Sequence, residues 1–143
     1  TVVVERRAEG GSRARATVEM RVGGTSVRTS AEGDGPVHAL DSAVRLALEP
    51  YIPVVLETHL VDYKVRIVDE HLGTAAITRV LMETAHGAER FSTIGAAPNI
   101  LDASWDALRD SLELAVARAS DAARTTAPPH MDTRRTTHET VTT

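Results

Sequence analysis

The sequence predicts an α+β domain: two tandem β-β-β-α pseudo-repeats, antiparallel sheets packed with helices, and a disordered C-terminal tail. Three observations predict it. Runs in which branched apolar residues alternate with polar ones occur three at a time, and each set of three gives way to a run with apolar residues spaced at three and four. Sliding the chain along itself by 64 residues without a gap gives ten identities in 49 pairs, among them Arg15 with Arg79, Thr29 with Thr93, Ala43 with Ala107 and Arg45 with Arg109. That is roughly threefold what residue frequencies of ~7% produce by chance. From Thr125 onward the composition changes to eight threonines among 19 residues, with Pro128 and Pro129 and almost nothing apolar.

Taken in order, Thr1 to Arg6, Arg15 to Val22 and Thr25 to Ala31 have the alternation of half-buried strands. Gly23-Gly24 supplies a two-residue hairpin between the second and third. From Pro36 to Glu49, Ala39, Leu40, Ala43, Val44, Ala47 and Leu48 form one face of a helix. Pro36 suits its first position, and Pro50 and Pro53 stop it after Glu49. The second set reads as strands at Leu60 to Val68, Ala75 to Thr84 and Arg90 to Ala96, with His86-Gly87 at a hairpin. A long helix follows from Asn99 to Ala119, its apolar side drawn from Ile100, Ala103, Trp105, Ala107, Leu108, Leu112 and Val116. A single β-β-β-α unit leaves a bare sheet face and helix stripe that a second copy can cover. The expected division is a domain over 1–124, with repeats at about 1–50 and 60–120, and a disordered threonine-rich tail over 125–143.

Composition narrows the function. The 143 residues, 42% hydrophobic and 25% charged, suit one domain, and aromatic side chains at 3% leave Val, Ile, Leu and Ala to fill its core. A net charge of −4 argues against nucleic acid as a partner, and the arginines at 6, 7, 13 and 15 read as a solvated surface. The absence of cysteine suits a reducing cytoplasm, and no apolar run is long enough to span a bilayer, so a soluble cytoplasmic domain without membrane contact is expected. The chain opens on Thr1 rather than methionine, which suits a segment of a longer polypeptide.

No metal or catalytic signature is present. The six histidines form no HExxH pattern; His38 reads as a pocket or helix-start residue and the others as loop or tail residues. There is no G-x-S-x-G elbow and no P-loop, and Gly33-x-Gly35 lacks the third glycine of a dinucleotide fingerprint. Ser42, Ser92 and Ser104 have no evident base beside them, and Glu19 and Glu83, at matching places in the repeats, read as structural. No catalytic residue, metal or cofactor is therefore expected in this domain.

Three stretches resemble a known family. Gly33-Asp34-Gly35-Pro36-Val37-His38-Ala39-Leu40-Asp41 is similar to the glycine-rich approach to the first helix in the C-terminal regulatory domain of the citramalate synthase and 2-isopropylmalate synthase family. Leu60-Val61-Asp62-Tyr63-Lys64-Val65-Arg66-Ile67 resembles its fourth strand, and Thr93-Ile94-Gly95 with Asn99 to Trp105 resembles its last strand and second helix. Together they span most of Val18 to Leu114, and Asp62 to Ile67 and Asn99 to Trp105 are closer to the citramalate synthase branch. The resemblance implies a homodimer that follows a TIM-barrel acyltransferase, attached or separate, and binds a small-molecule amino-acid effector near the dimer interface for feedback inhibition. Isoleucine is the effector implied for the citramalate branch and leucine for the other. The threonine-rich tail is a departure from the family pattern, and nothing resembling the barrel is present.

A free branched-chain amino acid needs amide donors for its carboxylate, an acceptor for its ammonium, and an apolar slot. Helix starts offer such amides, and Gly33 to Pro36 and Gly95 to Pro98 each run into one. Asp62 could accept from the ammonium, as could main-chain carbonyls. The resemblance implies a pocket formed by Val37 and His38 at the first helix, Leu60, Tyr63 and Ile67 on the fourth strand, Thr74 and Thr78 after it, and Pro98 and Ile100 at the second helix. Taken singly, Val37, Leu60, Ile67 and Ile100 suit ordinary core positions better than pocket positions. Leu60 falls on the wrong face for a regular strand unless a bulge or irregular start intervenes, and a buried Tyr63 hydroxyl would want a partner. Two other functions fit the same fold: a free-standing enzyme using His38, Asp62 and Tyr63 for acid-base chemistry, and a scaffold that only dimerises.

Overall fold

A computed structural model of the chain describes residues 2–6, 12–68 and 76–126. Strands β1 (Val2–Arg6), β2 (Ser12–Val22) and β3 (Thr25–Gly33) form one antiparallel sheet in the order β1-β2-β3. Helix α1 (Pro36–Leu48) packs on β2 and β3. A 3-10 segment, Pro53–Glu57, leads into β4 (Thr58–Val68), β5 (Ile77–His86) and β6 (Glu89–Ala97), a second antiparallel sheet in the order β4-β5-β6. Helix α2 (Ile100–Thr125) covers β5 and β6. The predicted α+β duplication is the observed fold, and every predicted element is present.

The duplication extends to individual hydrogen bonds. Val18 pairs with Thr29 across β2 and β3, and 64 residues on, Met82 pairs with Thr93 across β5 and β6. From these strands the Thr29 hydroxyl donates to the Ala43 carbonyl at 2.6 Å and the Thr93 hydroxyl to the Ala107 carbonyl at 2.7 Å. Each bond fastens a helix to the third strand of its own unit.

Small residues set the distance between layers. Ala14 and Ala16 on β2, with Ala39, Ala43 and Ala47 on α1, are buried, as are Ala103, Ala107 and Ala115 on α2. An ideal Cβ on Gly95 would lie 1.9 Å from the Ala103 carbonyl oxygen, so α2 rests directly on the backbone of β6. Two apolar-faced units closed this tightly share one core, in which Val44, Val55, Val80, Met82 and Leu108 are the bulkiest fully buried apolar side chains among the described residues.

Several boundaries differ from the sequence reading for physical reasons. β2 begins three residues early because its arginines lie on the outer face, where Arg13 and Arg15 each bond Glu32 on β3 at 2.7 Å. Those hydrogen bonds, from Arg15 first and then Arg13, hold the Glu32 carboxyl below its usual range. Gly23 and Gly24 form the first hairpin with φ of 55° and 85°, the region glycine favours. The second turn is Gly87-Ala88, since His86 still pairs with Glu89. α2 runs to Thr125 because Ala117, Arg118, Ala119, Ala122, Ala123 and Arg124 are strong helix formers with no proline among them. Thr1, Thr74, Ala75 and the threonine-rich tail from 127 onward lie outside the described residues.

Ser104 and Ser111 face the core on the apolar side of α2, which spacing of apolar residues could not show. Each is satisfied by a hydroxyl from the second sheet: Ser104 by Tyr63 at 3.0 Å and Ser111 by Thr84 at 2.6 Å. Among the described residues no buried side-chain polar atom lacks a partner.

Candidate ligand-binding site

Where the repeats meet, the first turns of α1 face the start of β4 across a cleft of about 430 Å³, lined by Val37, His38, Asp41, His59, Leu60 and Tyr63. That volume falls in the range of roughly 300–1,000 Å³ usual for small-molecule sites. Four of the residues proposed from the sequence, Val37, His38, Leu60 and Tyr63, therefore come together.

A β-bulge makes this possible. The register between β4 and β5 shifts between Leu60 and Asp62, so that Leu60 pairs with Thr84 and Tyr63 with Met82. Thr84 and Met82 both point into the core, which places Leu60 and Tyr63 on one face despite their odd spacing. The Tyr63 hydroxyl then reaches Ser104, whose own hydroxyl donates to the Ile100 carbonyl at 2.6 Å. β4 is thus tied to α2 as well as facing α1.

The two helix starts differ. Asn99 caps α2, its side-chain oxygen accepting from the Leu101 N–H at 2.7 Å. Gly35 at the start of α1 has no side chain to do this, Pro36 has no N–H, and the N–H groups of Val37 and His38 have no partner among the described residues. Gly95 to Ala97 belong to β6 and are paired in its ladder, so the approach to α2 is a strand and not an open loop.

The remaining predicted residues that the structure describes lie elsewhere, and Thr74 is outside the described residues. Asp62 projects from the opposite face of β4; its carboxylate pairs with Lys64 at 2.6 Å and accepts from the Tyr63 N–H at 2.9 Å. The Lys64 hydrogen bond holds the Asp62 carboxyl below its usual range and, reciprocally, pushes the Lys64 ammonium up. His38 and Tyr63 line the cleft but Asp62 does not, so the acid-base set weighed for an enzyme is not assembled there. Ile67 pairs with Thr78 and Thr78 with Ala97, which puts Ile67, Thr78 and the following Pro98 and Ile100 at one end of the second sheet. At roughly 3.3 Å per residue that end is about 13 Å along β4 from Tyr63. Ile67 is 59% and Ile100 44% exposed; neither is a core residue.

Two lining residues were not foreseen. Asp41 stands three and four residues after His38 and Val37, so helical spacing alone puts it on their side of α1. His59 lies on β4, and His86 ends β5 bonded to Glu57 at 3.0 Å; neither is the loop residue expected. Behind Asp41 stands Arg45, whose Nε donates to the Asp41 carboxylate at 2.8 Å. One terminal nitrogen of Arg45 also meets the carbonyls of Val55 and Thr58 at 2.5 and 2.6 Å and the Thr58 hydroxyl at 2.9 Å. Arg45 thereby supplies donors to the backbone of the segment joining the repeats.

A second concavity, about 490 Å³, is an apolar groove between the helices, with Val44, Leu48, Ile52, Trp105, Leu112 and Val116 along it. Among the described residues no group of three or more His, Cys, Asp or Glu could hold a metal ion, and no helix is long and apolar enough to cross a membrane.

The duplicated βββα frame, with a cleft at the junction of its halves and an apolar groove between its helices, defines a small repeat domain with two concave surfaces. The chain belongs to the LeuA allosteric (dimerisation) domain family, whose profile matches residues 2–116. It is similar to proteins named (R)-citramalate synthase: 43% identical over 111 residues to that of Aquifex aeolicus (78% of this chain, 21% of the relative), and 49% over 98 residues to that of Geobacter sulfurreducens (68% and 19%). The Streptomyces coelicolor protein of that name is 42% identical over 117 residues (82% and 22%). The chain thus spans about a fifth of the length of these relatives.

Proposed function

We propose that this chain is the cytoplasmic feedback sensor of a citramalate synthase-type enzyme, binding a branched-chain amino acid, isoleucine first and leucine next, beside a homodimer interface. The catalytic TIM barrel is another part of the same enzyme, and the domain itself carries no cofactor. The observation that carries this reading is the junction cleft. It sets the open N–H groups of Val37 and His38, suited to a carboxylate, beside the aliphatic and aromatic surfaces of Val37, Leu60 and Tyr63.

The groove between the helices supports the dimer, since a second copy would remove Leu48, Trp105, Leu112 and Val116 from water. Both features share α1: its first turns line the cleft, and Val44 and Leu48 line the groove. An effector that binds one seating of α1 better than another therefore biases how the copies pack, which is the differential affinity that inhibition requires.

Titration calorimetry of the 143-residue chain with isoleucine, leucine, valine and threonine, alongside sedimentation, tests this. The expected result is a dimer that binds isoleucine saturably and more tightly than threonine. A folded chain that binds none of the four contradicts the reading.

A further inference from the structure

We infer that Asp41, oriented by Arg45, is the acceptor for the effector's ammonium group, so that the cleft selects α-amino acids over branched-chain carboxylic acids that lack the amine. This rests on the sensor reading above.

Among the described residues, Asp41 provides the only carboxylate in the lining of the cleft. Asp62, the acceptor suggested by sequence, is turned to the other face of β4 and already paired with Lys64. The Asp41 side chain is 14% exposed, and Arg45 engages it through a single contact, Nε to Oδ1. Oδ2 has no partner among the described residues, and a carboxylate offers about four lone-pair sites across its two oxygens.

Arg45 cannot readily leave or take the second oxygen, because the contacts of its terminal nitrogen to Val55 and Thr58 fix the guanidinium plane. Of the other polar side chains facing the cleft, His59 is exposed and its imidazole is a weaker partner for an ammonium than a carboxylate, and the other two are already engaged. The Tyr63 hydroxyl is engaged with Ser104, and Nδ1 of His38 lies 3.3 Å from the Asp34 N–H, from which it accepts. Spacing also suits the ligand. In an amino acid the carboxylate and ammonium are borne by one carbon, and Asp41 lies one helical turn, about 5–6 Å between Cβ atoms, from Val37 and His38. A zwitterion bound by their amides would bring its ammonium to the Asp41 side of the cleft.

The test compares isoleucine with 3-methylpentanoic acid, the same skeleton without the amine, by calorimetry on the unmodified chain and on Asp41→Asn. A hydrogen bond between two charged groups predicts that the unmodified chain binds isoleucine about 10- to 100-fold more tightly than the acid. Asp41→Asn is expected to lose most of that ratio through weaker isoleucine binding, with the affinity for the acid held within about threefold. Equal affinities of the unmodified chain for the two ligands overturn the inference and leave the sensor reading intact, and this arm needs no variant that folds. An unchanged ratio in folded Asp41→Asn overturns it as well. If the unmodified chain binds neither ligand, the sensor reading fails and the assignment of Asp41 fails with it.

Discussion

Gly95→Ala is expected to destabilise the chain more than any other single methyl addition to its backbone. The new Cβ would sit 1.9 Å from the Ala103 carbonyl oxygen and 2.8 Å from the Ala107 nitrogen. Both atoms are helix backbone, so relief requires α2 to lift from β6, and with it the bond from Thr93 to Ala107 and the contact of Ser104 with Tyr63. Overpacking of a close-packed core ordinarily costs about 1–3 kcal/mol, and a clash with backbone on both sides belongs at or above the top of that range. Urea denaturation followed by circular dichroism measures it. Gly35→Ala is the control: nothing lies within 4 Å of its Cβ and its φ of −149° suits any residue, so only the ordinary preference for glycine over alanine at a helix N-cap applies, a change below about 1 kcal/mol. Comparable losses for the two variants would contradict the close approach of α2 to β6.

The second large effect concerns Arg45 and Arg109, which occupy matching positions in the repeats and have opposite surroundings. The Arg45 side chain is 15% exposed, and it joins Asp41 to the carbonyls of Val55 and Thr58. The Arg109 side chain is 50% exposed, with Asp106, Asp110 and Glu113 around it in open solvent. Arg45→Met leaves a largely buried carboxylate without its cation and removes the guanidinium donor from the Val55 and Thr58 carbonyls, of which Val55 keeps the Thr58 hydroxyl at 3.0 Å, a loss of about 3 kcal/mol. Arg109→Met is expected to change stability by less than about 0.5 kcal/mol. Asp41→Leu added to Arg45→Met restores only part of the loss, because the Thr58 carbonyl still lacks the Arg45 donor and the Val55 carbonyl keeps only the Thr58 hydroxyl. Denaturation midpoints of these variants provide the check; equal midpoints for Arg45→Met and Arg109→Met would show that the junction does not depend on the ion pair.

The same contrast explains what could be read from the chain and what could not. Periodicity located the strands and helices because one face of each is buried, and the 64-residue slide located the duplication because β2, β3 and α1 share a register with β5, β6 and α2. What the slide could not show is that matched residues had taken separate roles. Arg45 turns inward where the 3-10 segment after the first repeat places carbonyls beside it, and among the described residues no such segment follows Arg109. In the site, Val37, His38, Leu60 and Tyr63 were legible through the family likeness, and the bulge that aligns the last two was anticipated from the misplaced alternation of Leu60. Asp62 suggests itself as acceptor beside Tyr63, but strand alternation turns adjacent residues to opposite faces. Asp41 lies one turn from His38, and its alignment with β4 is a tertiary fact that spacing does not show. Ser104 and Ser111 were missed for a related reason: a polar residue reads as solvent-facing until the hydroxyl that satisfies it is known.

The central claim is that the junction between the repeats, where α1 begins opposite the bulge of β4, is where a branched-chain amino acid binds. Amide chemical-shift mapping of the nitrogen-15-labelled chain during a titration with isoleucine tests it most directly. The account predicts the largest saturable shifts at Val37, His38, Asp41, Leu60 and Tyr63, the residues about the cleft. Shifts centred instead on Leu48, Leu112 and Val116 in the groove between the helices, or a spectrum unmoved at saturating isoleucine, would contradict it.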